Sequence, residues 1–348
     1  MKMSNLRWLT AAATLVFSLS VTAQTLTWST AIEDYNTTNI GGGTTQRPTI
    51  ASIVYNDEIF IAYTSSNNCS GSACAIQIEE TSGQGPNGTY AFTSDGFLGV
   101  PTIGTVYTKS NPALAVADGY AYISWTDASG NNWVSQSSNM LTWSAPVTVT
   151  SGSTVESVTL SVNPSVPNEL WIGYLSGSNF YPTICYLFPN QSSFSSTPVT
   201  CYNTTEVSQM NFEPGLVWSG SELLLFQEYR GNSHCLSSFY SPGGVPPWTY
   251  WNPGGLCGAE QTSAKPAPVT YNSYIYIGFR TNDSSDAFRV RIGNTSVGFP
   301  YVQQPGQKMD GGPDLLPVST SQGISLLYPT ELVNFYSYGG ALYSTYGH

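Results

Sequence analysis

The chain has 348 residues, of which only 9% are charged, and a formal net charge of −11 at pH 7. Globular proteins carry about 25% charged residues, so uncharged groups must form most of this polar surface. An acidic surface repels nucleic acid and anionic lipid, and we expect neither as a partner. An anionic ligand would need a local cluster of the few basic side chains.

The first 23 residues have the organisation of a secretory signal peptide. Lys2 and Arg7 give a positive start, residues 9–21 form an apolar run, and small residues precede a cleavage position near Ala23. A membrane anchor is the poorer interpretation, because the apolar run is short and interrupted by hydroxyl residues. The sequence therefore predicts a signal peptide at 1–23 and one mature domain at 24–348. We expect that domain to be secreted, extracellular or periplasmic, without a membrane span.

Six cysteines in an exported chain predict three disulfides. Several pairings are possible, and the spacing favours neighbours, because this pairing needs no crossing between repeats: Cys69 with Cys74, Cys185 with Cys201, and Cys235 with Cys257. The two histidines, His234 and His348, and the cysteine spacing do not fit a zinc site. We expect no metal and no cofactor. Calcium at the turns 127–131 or 282–286 is an alternative to the favoured interpretation of solvated turns.

A short pattern recurs six times along the mature chain. An apolar stretch, usually led by proline, is followed by a tight turn and then by a strand that ends near an aromatic residue. The copies begin at 47–50, 111–114, 157–160, 213–216, 265–268 and 312–315. A period of roughly 45–65 residues made of strands and turns is typical of a β-propeller. The sequence thus predicts an all-β fold, a six-bladed β-propeller with four-stranded antiparallel blades.

The second copy shows the expected blade most clearly. Its four strands are predicted at 113–116, 121–125, 133–137 and 144–149, with Gly, Asn, Asp and Ser at the turns. The last copy is too short for four strands, whereas residues 25–29 precede the first copy without a partner. We therefore expect the mature N-terminus to supply the outer strand of the last blade. This pairing closes the ring and removes an exposed sheet edge.

The predicted ligand site lies at one end of the central channel, here called the mouth. In a propeller, the starts of the inner strands and the loops after the second strands gather at that end. The pattern places these ligand-binding candidates there: Arg47, Asn111, Arg230, Lys265 and Arg280, with Glu213 as the catalytic candidate. Three arginines around one point form a carboxylate clamp, since each donates two aligned hydrogen bonds. The alternative is that each arginine pairs with a local acid, as Arg230 would with Glu228.

At these residues the chain resembles the sialidase (neuraminidase) family, whose members are six-bladed propellers. Arg47-Pro48 resembles the family's Arg-x-Pro motif with one residue missing, and residues 213–217 followed by Arg230 resemble its glutamate-bearing strand and second arginine. Arg280 stands at the place of the third arginine. Residues 137–143 are similar to a structural turn that recurs in the same family. The resemblance implies binding of an acidic sugar, with Glu213 as the activating glutamate.

The departures from the family pattern concern catalysis. Sialidases attack with a tyrosine hydroxyl and use an aspartate as acid and base, whereas this chain has Gly312 at the tyrosine position and no acid in the loop 64–75. Loss of a positioned proton donor costs on the order of 10²–10⁴-fold in rate. Tyr328, Tyr336 and Tyr338 are alternative nucleophiles that the sequence does not rank.

We therefore expect a secreted, sialidase-like lectin whose partner is a glycan or glycoconjugate, with hydrolysis in doubt. The 23 tyrosines and nine tryptophans suit sugar binding, although secreted β proteins in general share such a composition. One alternative is an active exo-sialidase or related glycosidase with a relocated nucleophile. The other is a protein-interaction propeller in which the arginines are structural.

Overall fold

Antiparallel strands account for nearly all of the regular structure. The computed structural model describes residues 25–38, 40, 49–151, 155–176, 180–189, 194–204, 207–231, 233–251 and 256–348. Six four-stranded sheets form the blades of a propeller, which confirms the predicted fold class. The predicted signal peptide (1–23) and Arg47 lie outside the described residues.

The strands follow the chain from blade to blade, except that β1 (Ile32–Thr38) belongs to the last blade. Blade 1 consists of β2 to β5, which are Ala51–Tyr55, Glu58–Ser70, Ala73–Thr81 and Thr93–Phe97. Three short strands, β6 to β8, connect it to blade 2 and are Gly99–Val100, Gly104–Thr105 and Tyr107–Thr108. Blade 2 consists of β9 to β12, which are Ala113–Ala117, Tyr120–Thr126, Asn132–Ser137 and Val147–Thr150.

The remaining blades repeat this arrangement. Blade 3 consists of β13 to β16, which are Val155–Val162, Leu170–Ser176, Pro182–Leu187 and Val199–Asn203. Blade 4 consists of β17 to β20, which are Gly215–Ser219, Glu222–Glu228, Leu236–Pro242 and Thr249–Trp251. Blade 5 consists of β21 to β24, which are Ala267–Tyr271, Tyr274–Arg280, Phe288–Asn294 and Gly298–Gln303. Blade 6 consists of β25 to β27 with β1, the first three being Asp314–Ser319, Thr330–Tyr338 and Ala341–Gly347.

Helical structure in the described residues is confined to short turns. One helix, α1, covers Leu256–Ala259, and two 3₁₀ turns cover Phe194–Ser196 and Thr320–Gln322. No helix within the described part of the chain is long and apolar enough to cross a membrane.

The N-terminal segment closes the ring, as the sequence predicts. β1 pairs antiparallel with β27, with Ile32 opposite Ser344. Just before β1, the backbone N–H of Thr27 donates to the carbonyl of His348 at 3.1 Å. The strand that closes the ring, β1, therefore lies a few residues after the predicted segment 25–29. That segment continues the same pairing with the end of the last strand.

The outer strand of blade 2 begins three residues later than predicted. Ser144 is held in the preceding turn, where its carbonyl accepts a hydrogen bond from the Ser135 hydroxyl at 2.7 Å. Pro146 has no N–H to contribute to a ladder, so regular pairing starts at Val147. The turn 137–143 is closed by its own hydrogen bonds, in which Asn139 Oδ1 accepts from the Thr142 N–H at 2.9 Å.

The core consists of apolar clusters between neighbouring blades rather than one central core. Each neighbouring pair of blades shares one such cluster of described residues. Between blades 1 and 2, for example, Ile78 and Trp125 lie in the same cluster and are almost fully buried. Burial of this kind stabilises by about 25 cal/mol per Å² of apolar surface, so the blades hold each other in position around the channel.

The three disulfides have the predicted pairing: Cys69–Cys74, Cys185–Cys201 and Cys235–Cys257. The first two link paired strands within blades 1 and 3, at positions directly opposite each other. The third ties the start of the third strand of blade 4 to α1. Each bridge therefore stays within one blade or its adjoining loop.

Two buried carboxyls lie where blade 6 meets blade 1. Asp34 Oδ1 accepts from the Tyr90 N–H at 3.0 Å and from the Ser344 hydroxyl at 3.1 Å, and burial raises the pKa of Asp34 to about 8. Glu331 accepts from the Gln84 side-chain amide at 2.9 Å, and burial raises the pKa of Glu331 to about 7. Both carboxyls are thus protonated in the folded protein under mildly acidic conditions.

We predict that the protein is more stable at pH 5 than at pH 8. The folded state keeps these protons up to about pH 7–8, whereas the unfolded state releases them near the ordinary values of 3.8 and 4.5. The free energy of unfolding is therefore highest at low pH, and it decreases as the pH rises from the ordinary pKa values to those of the folded state. Urea unfolding should show a loss of at least about 2 kcal/mol between pH 5 and pH 8, since one pKa unit corresponds to ~1.4 kcal/mol.

The matched variant is Asp34→Asn, whose amide oxygen can still accept both hydrogen bonds but does not titrate. Its stability should depend less on pH than that of the wild type. An unchanged pH dependence in Asp34→Asn would contradict the assignment of the effect to this carboxyl.

Candidate functional site

The six inner strands surround a central channel that contains a cavity of about 270 Å³. Each inner strand packs against the next, and β25 packs against β2 to complete the ring. Most of the lining residues have apolar side chains, and the polar side chains among them are Ser52, Thr159, Ser161, Lys265 and Asp314. Hydroxyls, one cation and one carboxyl therefore line the same space in the channel.

Asp314, the first residue of β25, is the functional candidate that the sequence pattern missed. The Ser52 hydroxyl, on the inner strand of the neighbouring blade 1, donates to Asp314 Oδ2. Burial raises the pKa of Asp314 to about 6, against the opposing effects of this hydrogen bond and the charge of Lys265. A carboxyl with a pKa near 6 can take up or release a proton close to neutral pH. The sequence feature that could have identified Asp314 is its position directly after Gly312-Pro313.

Glu213 is buried at the mouth, just before β17, and is 2% exposed. The close approach of β17 to β21 requires glycine at position 215, because a Cβ there would lie 2.4 Å from the carbonyl oxygen of Pro266. The last registered pair between β17 and β18 is Gly215 with Phe226. Glu213 lies two residues before Gly215, and Glu228 lies two residues after Phe226. Both glutamates therefore lie just beyond this end of the pairing.

Glu228 and His234 form a carboxylate–imidazole pair in the loop of blade 4. Glu228 is 1% exposed; its Oε1 contacts His234 Nδ1 and accepts from the Asn211 side-chain amide at 3.0 Å. Burial raises the pKa of Glu228, although His234 and Asn211 act in the opposite direction. His234 adopts a left-handed backbone conformation (φ 47°), and its carbonyl accepts from the Thr262 N–H at 2.9 Å. The alternative pairing of Glu228 with Arg230 that the sequence suggested is not present among the described residues.

Arg230 lies on the surface in the same loop. Its guanidinium carbon is 3.1 Å from the centroid of the Phe180 ring, a cation–π contact. Together with Tyr181, Tyr229 and neighbouring polar residues, it lines an open cavity of about 350 Å³ between blades 3 and 4. The edge of the guanidinium therefore remains available beside a hydroxyl-bearing pocket.

Arg280 has a different environment from the one the clamp prediction implies. It is 5% exposed, and its Nε donates to the Met309 carbonyl at 2.8 Å. Nη1 donates to the Ser263 hydroxyl at 2.9 Å, and Nη2 lies 2.5 Å from Asp286 Oδ1. All three nitrogen atoms are engaged, so ligand binding by Arg280 would require these contacts to break, and its predicted binding function stays a prediction.

The other predicted residues lie where inner strands begin. Lys265 is half-buried beside the cavity. Asn111 is buried, and its Oδ1 accepts from the Thr49 N–H at 3.0 Å, which joins blade 2 to blade 1. At Gly312 an added Cβ would lie 2.9 Å from the Lys265 carbonyl oxygen. A side chain at that position, where the family resemblance places a tyrosine, would force the backbone to shift.

The acidic turns carry their own hydrogen bonds. Asp127 accepts from the Trp133 side-chain N–H at 2.9 Å and the Asn131 side-chain amide at 2.8 Å. Asp283 accepts from the Thr281 hydroxyl at 2.9 Å. Within the part of the chain that the structure describes, no group of three or more His, Cys, Asp or Glu side chains has a geometry that could hold a metal ion.

No protein-family model and no curated protein sequence matches this chain. Its fold is similar to that of a protein of unknown function from Dyadobacter fermentans, at 11% identity and a TM-score of 0.61, over 93% of this chain and 99% of that one. It is similar to the GH93 α-L-arabinofuranosidase of Fusarium graminearum in complex with arabinobiose, at 10% identity and a TM-score of 0.61, over 92% and 97% of the two chains. It is also similar to a variant of the Aleuria aurantia lectin in complex with Fucα1-6GlcNAc, at 10% identity and a TM-score of 0.56, over 88% and 92%. At these identities the similarity establishes the propeller fold alone.

We predict that Arg280→Ala destabilises the protein, whereas Arg230→Ala does not. Arg280→Ala removes two buried hydrogen bonds and an ion pair, and should lower the free energy of unfolding by about 2 kcal/mol. Arg230 is exposed, and its loss should change stability by less than about 1 kcal/mol. Equal stabilities of the two variants in urea unfolding would contradict the structural function assigned to Arg280.

Proposed function

We propose that this protein is an exported, glycan-binding propeller that recognises sugars bearing a carboxylate at the mouth of its channel, with little or no hydrolysis. One observation carries the proposal. Among the described residues, Arg280, Arg289 and Arg291 each pair with a carboxylate, whereas Arg230 and Lys265, like Lys109 and Lys308, form no salt bridge, and of these four only Arg230 and Lys265 line the described cavities. Lys265 lines the channel cavity and Arg230 lines the open cavity between blades 3 and 4, so each offers an anionic ligand a cation without a salt-bridge partner.

The chemistry of the surroundings supports a sugar as the anion. The channel wall supplies hydroxyls from Ser52, Thr159 and Ser161, and the cavity at Arg230 adds the rings of Tyr181 and Tyr229. Uncharged donors and acceptors with flat apolar rings suit a polyhydroxylated ligand. Two of the fold neighbours are described in complexes with sugars, which is consistent with this ligand class.

The proposed contacts differ in kind. The planar guanidinium of Arg230 can donate two parallel hydrogen bonds to a carboxylate, whereas Lys265 acts as a point charge. Arg47, which precedes the first inner strand in the sequence, is proposed as the third cation. Arg280 is the weakest member of the predicted clamp, because its nitrogen atoms already have protein partners. Sialidase-like recognition is thus proposed without the complete arginine triad.

Export is part of the proposal and is supported by the three disulfides, since such bonds persist in oxidising compartments. The proposed signal peptide at residues 1–23 would direct the chain there. The glycan partner would then be extracellular or periplasmic.

A glycosidase is the second candidate, and Asp314 is the observation that favours it. Its pKa of about 6 would let it act as a proton donor near neutral pH, with Glu213 as a buried carboxylate at the same mouth. An exo-acting enzyme of this kind would use a nucleophile other than the tyrosine of the sialidase pattern, because position 312 is glycine.

Saturation-transfer NMR with sialyllactose, and with lactose as the control ligand, tests the binding proposal. We expect transfer to the sialic acid ring of sialyllactose and little to lactose. Lys265→Ala and Arg230→Ala should each weaken binding by about tenfold, since each charged hydrogen bond contributes ~1.5–3 kcal/mol. The control variant Arg289→Ala removes an ion-paired cation and should bind normally. Equal binding of lactose, or binding that both mouth variants retain, would contradict the proposal.

The same samples separate a lectin from an enzyme. A lectin leaves sialyllactose intact over hours, whereas an enzyme releases free sialic acid. If release occurs, Asp314→Asn and Glu213→Gln should each abolish it while binding persists. Release that survives both substitutions would exclude this pair of carboxyls as catalytic groups. Absence of both binding and release would leave the protein-interaction alternative.

A further inference from the structure

A second cavity, of about 260 Å³, lies between blades 4 and 5, away from the mouth. Glu222 belongs to the turn between the first and second strands of blade 4, which is at the opposite end of the inner strand from Glu213. Thr295 contributes from the last turn of blade 5. The described residues that line the cavity are Glu222, Leu224, Tyr240, Trp251 and Thr295.

Two aromatic rings form perpendicular walls in this cavity. The centroids of Tyr240 and Trp251 are 6.5 Å apart, with an interplanar angle of 81°. Trp251 is held from behind by Phe299, whose ring centroid is 5.4 Å away at 66°. Leu224, which is 1% exposed, provides an apolar floor. Two nearly perpendicular aromatic rings and an apolar side chain therefore line the same small space.

The only charged side chain in the described lining is a carboxylate. Glu222 is half-buried, and its carboxylate makes no hydrogen bond or salt bridge with any described residue. It starts β18 and lies opposite Ser219 in the register. The pocket therefore combines aromatic faces, which attract cations through their quadrupoles, with an uncompensated negative charge.

The turns at the same end of the neighbouring blades are also acidic. The corresponding turns of blades 1, 2 and 3 carry Asp57, Asp118 and Glu169, and none of the described turns between first and second strands contains Lys or Arg. A surface lined by one sign of charge raises the local concentration of oppositely charged ligands. The end of the ring that holds this pocket is therefore suited to cations.

We propose that the pocket between blades 4 and 5 binds a small organic cation of the quaternary-ammonium type, such as a choline headgroup. The methyl groups of the cation contact the faces of Tyr240 and Trp251 and the floor at Leu224, while Glu222 balances its charge. Cavities for drug-sized ligands measure roughly 300–1,000 Å³, so this smaller space fits a compact headgroup. The inference is independent of the function proposed for the mouth, since the two sites share no residue.

The test is a saturation-transfer NMR titration of the full mature protein with choline, using 3,3-dimethyl-1-butanol as its neutral isostere. We expect choline to bind at least about tenfold more tightly than the isostere, because only the cation gains from the rings and the carboxylate. Glu222→Gln should weaken choline binding by about tenfold while retaining the shape of the side chain. Trp251→Leu should abolish it.

The matched control is Glu58→Gln, which alters the same position in blade 1, opposite Tyr55 in the register, and should bind choline normally. Unfolding curves for each variant would show that the fold is retained, and Glu222→Gln decides the question if Trp251→Leu does not fold. Equal affinity for choline and the neutral isostere would overturn the proposal, as would retained binding in Glu222→Gln. Binding of a neutral monosaccharide at these residues without choline binding, or no binding at all, would also overturn it.

Discussion

Closure of the ring is the constraint on which the rest of the structure depends. Each blade buries its faces only against its neighbours, so an open ring would expose the apolar surfaces of the first and last blades. β1 prevents this by pairing with β27, and the registered pair of Ile32 and Ser344 joins the two ends of the chain. The inner strands can then converge on one channel, which brings residues that are far apart in sequence, such as Ser52 and Asp314, into hydrogen-bond contact.

The joint between blades 6 and 1 also contains two buried carboxyls. Asp34 and Glu331 are almost fully buried, and each depends on hydrogen bonds from side chains or backbone of a neighbouring segment. A buried carboxyl is tolerated when it is hydrogen-bonded, and it remains neutral when burial outweighs those bonds. The same physical effect, desolvation, sets the proton affinity of Asp314 in the channel. Burial of acidic side chains therefore determines both the pH dependence of stability and the pKa of Asp314.

The repeat made the fold predictable from sequence, because each copy of the pattern corresponds to one blade. The spacing of the cysteines was also sufficient, because neighbouring cysteines fall on paired strands or adjoining loops. Side-chain environments were not predictable in this way. Arg280 and Arg230 occupy the same position in the pattern, yet one is buried against Met309 and the other stacks on Phe180. The difference arises from loops whose conformation the strand pattern does not determine.

The candidate site was predictable only in part, for the same reason. Lys265 lies beside the channel. Asp314 was not predicted, because its environment depends on a contact with the neighbouring blade 1. The two ends of the ring also differ in charge. We propose an anionic sugar at the mouth, beside Lys265 and Arg230, and an organic cation at the other end, where the turns are acidic.

A crystal structure of the mature protein with sialyllactose would test the central claim most directly. We expect the sugar at the mouth of the channel, with its carboxylate within hydrogen-bond distance of Arg230 or Lys265. Sugar density located only between blades, or a carboxylate directed away from both cations, would contradict it.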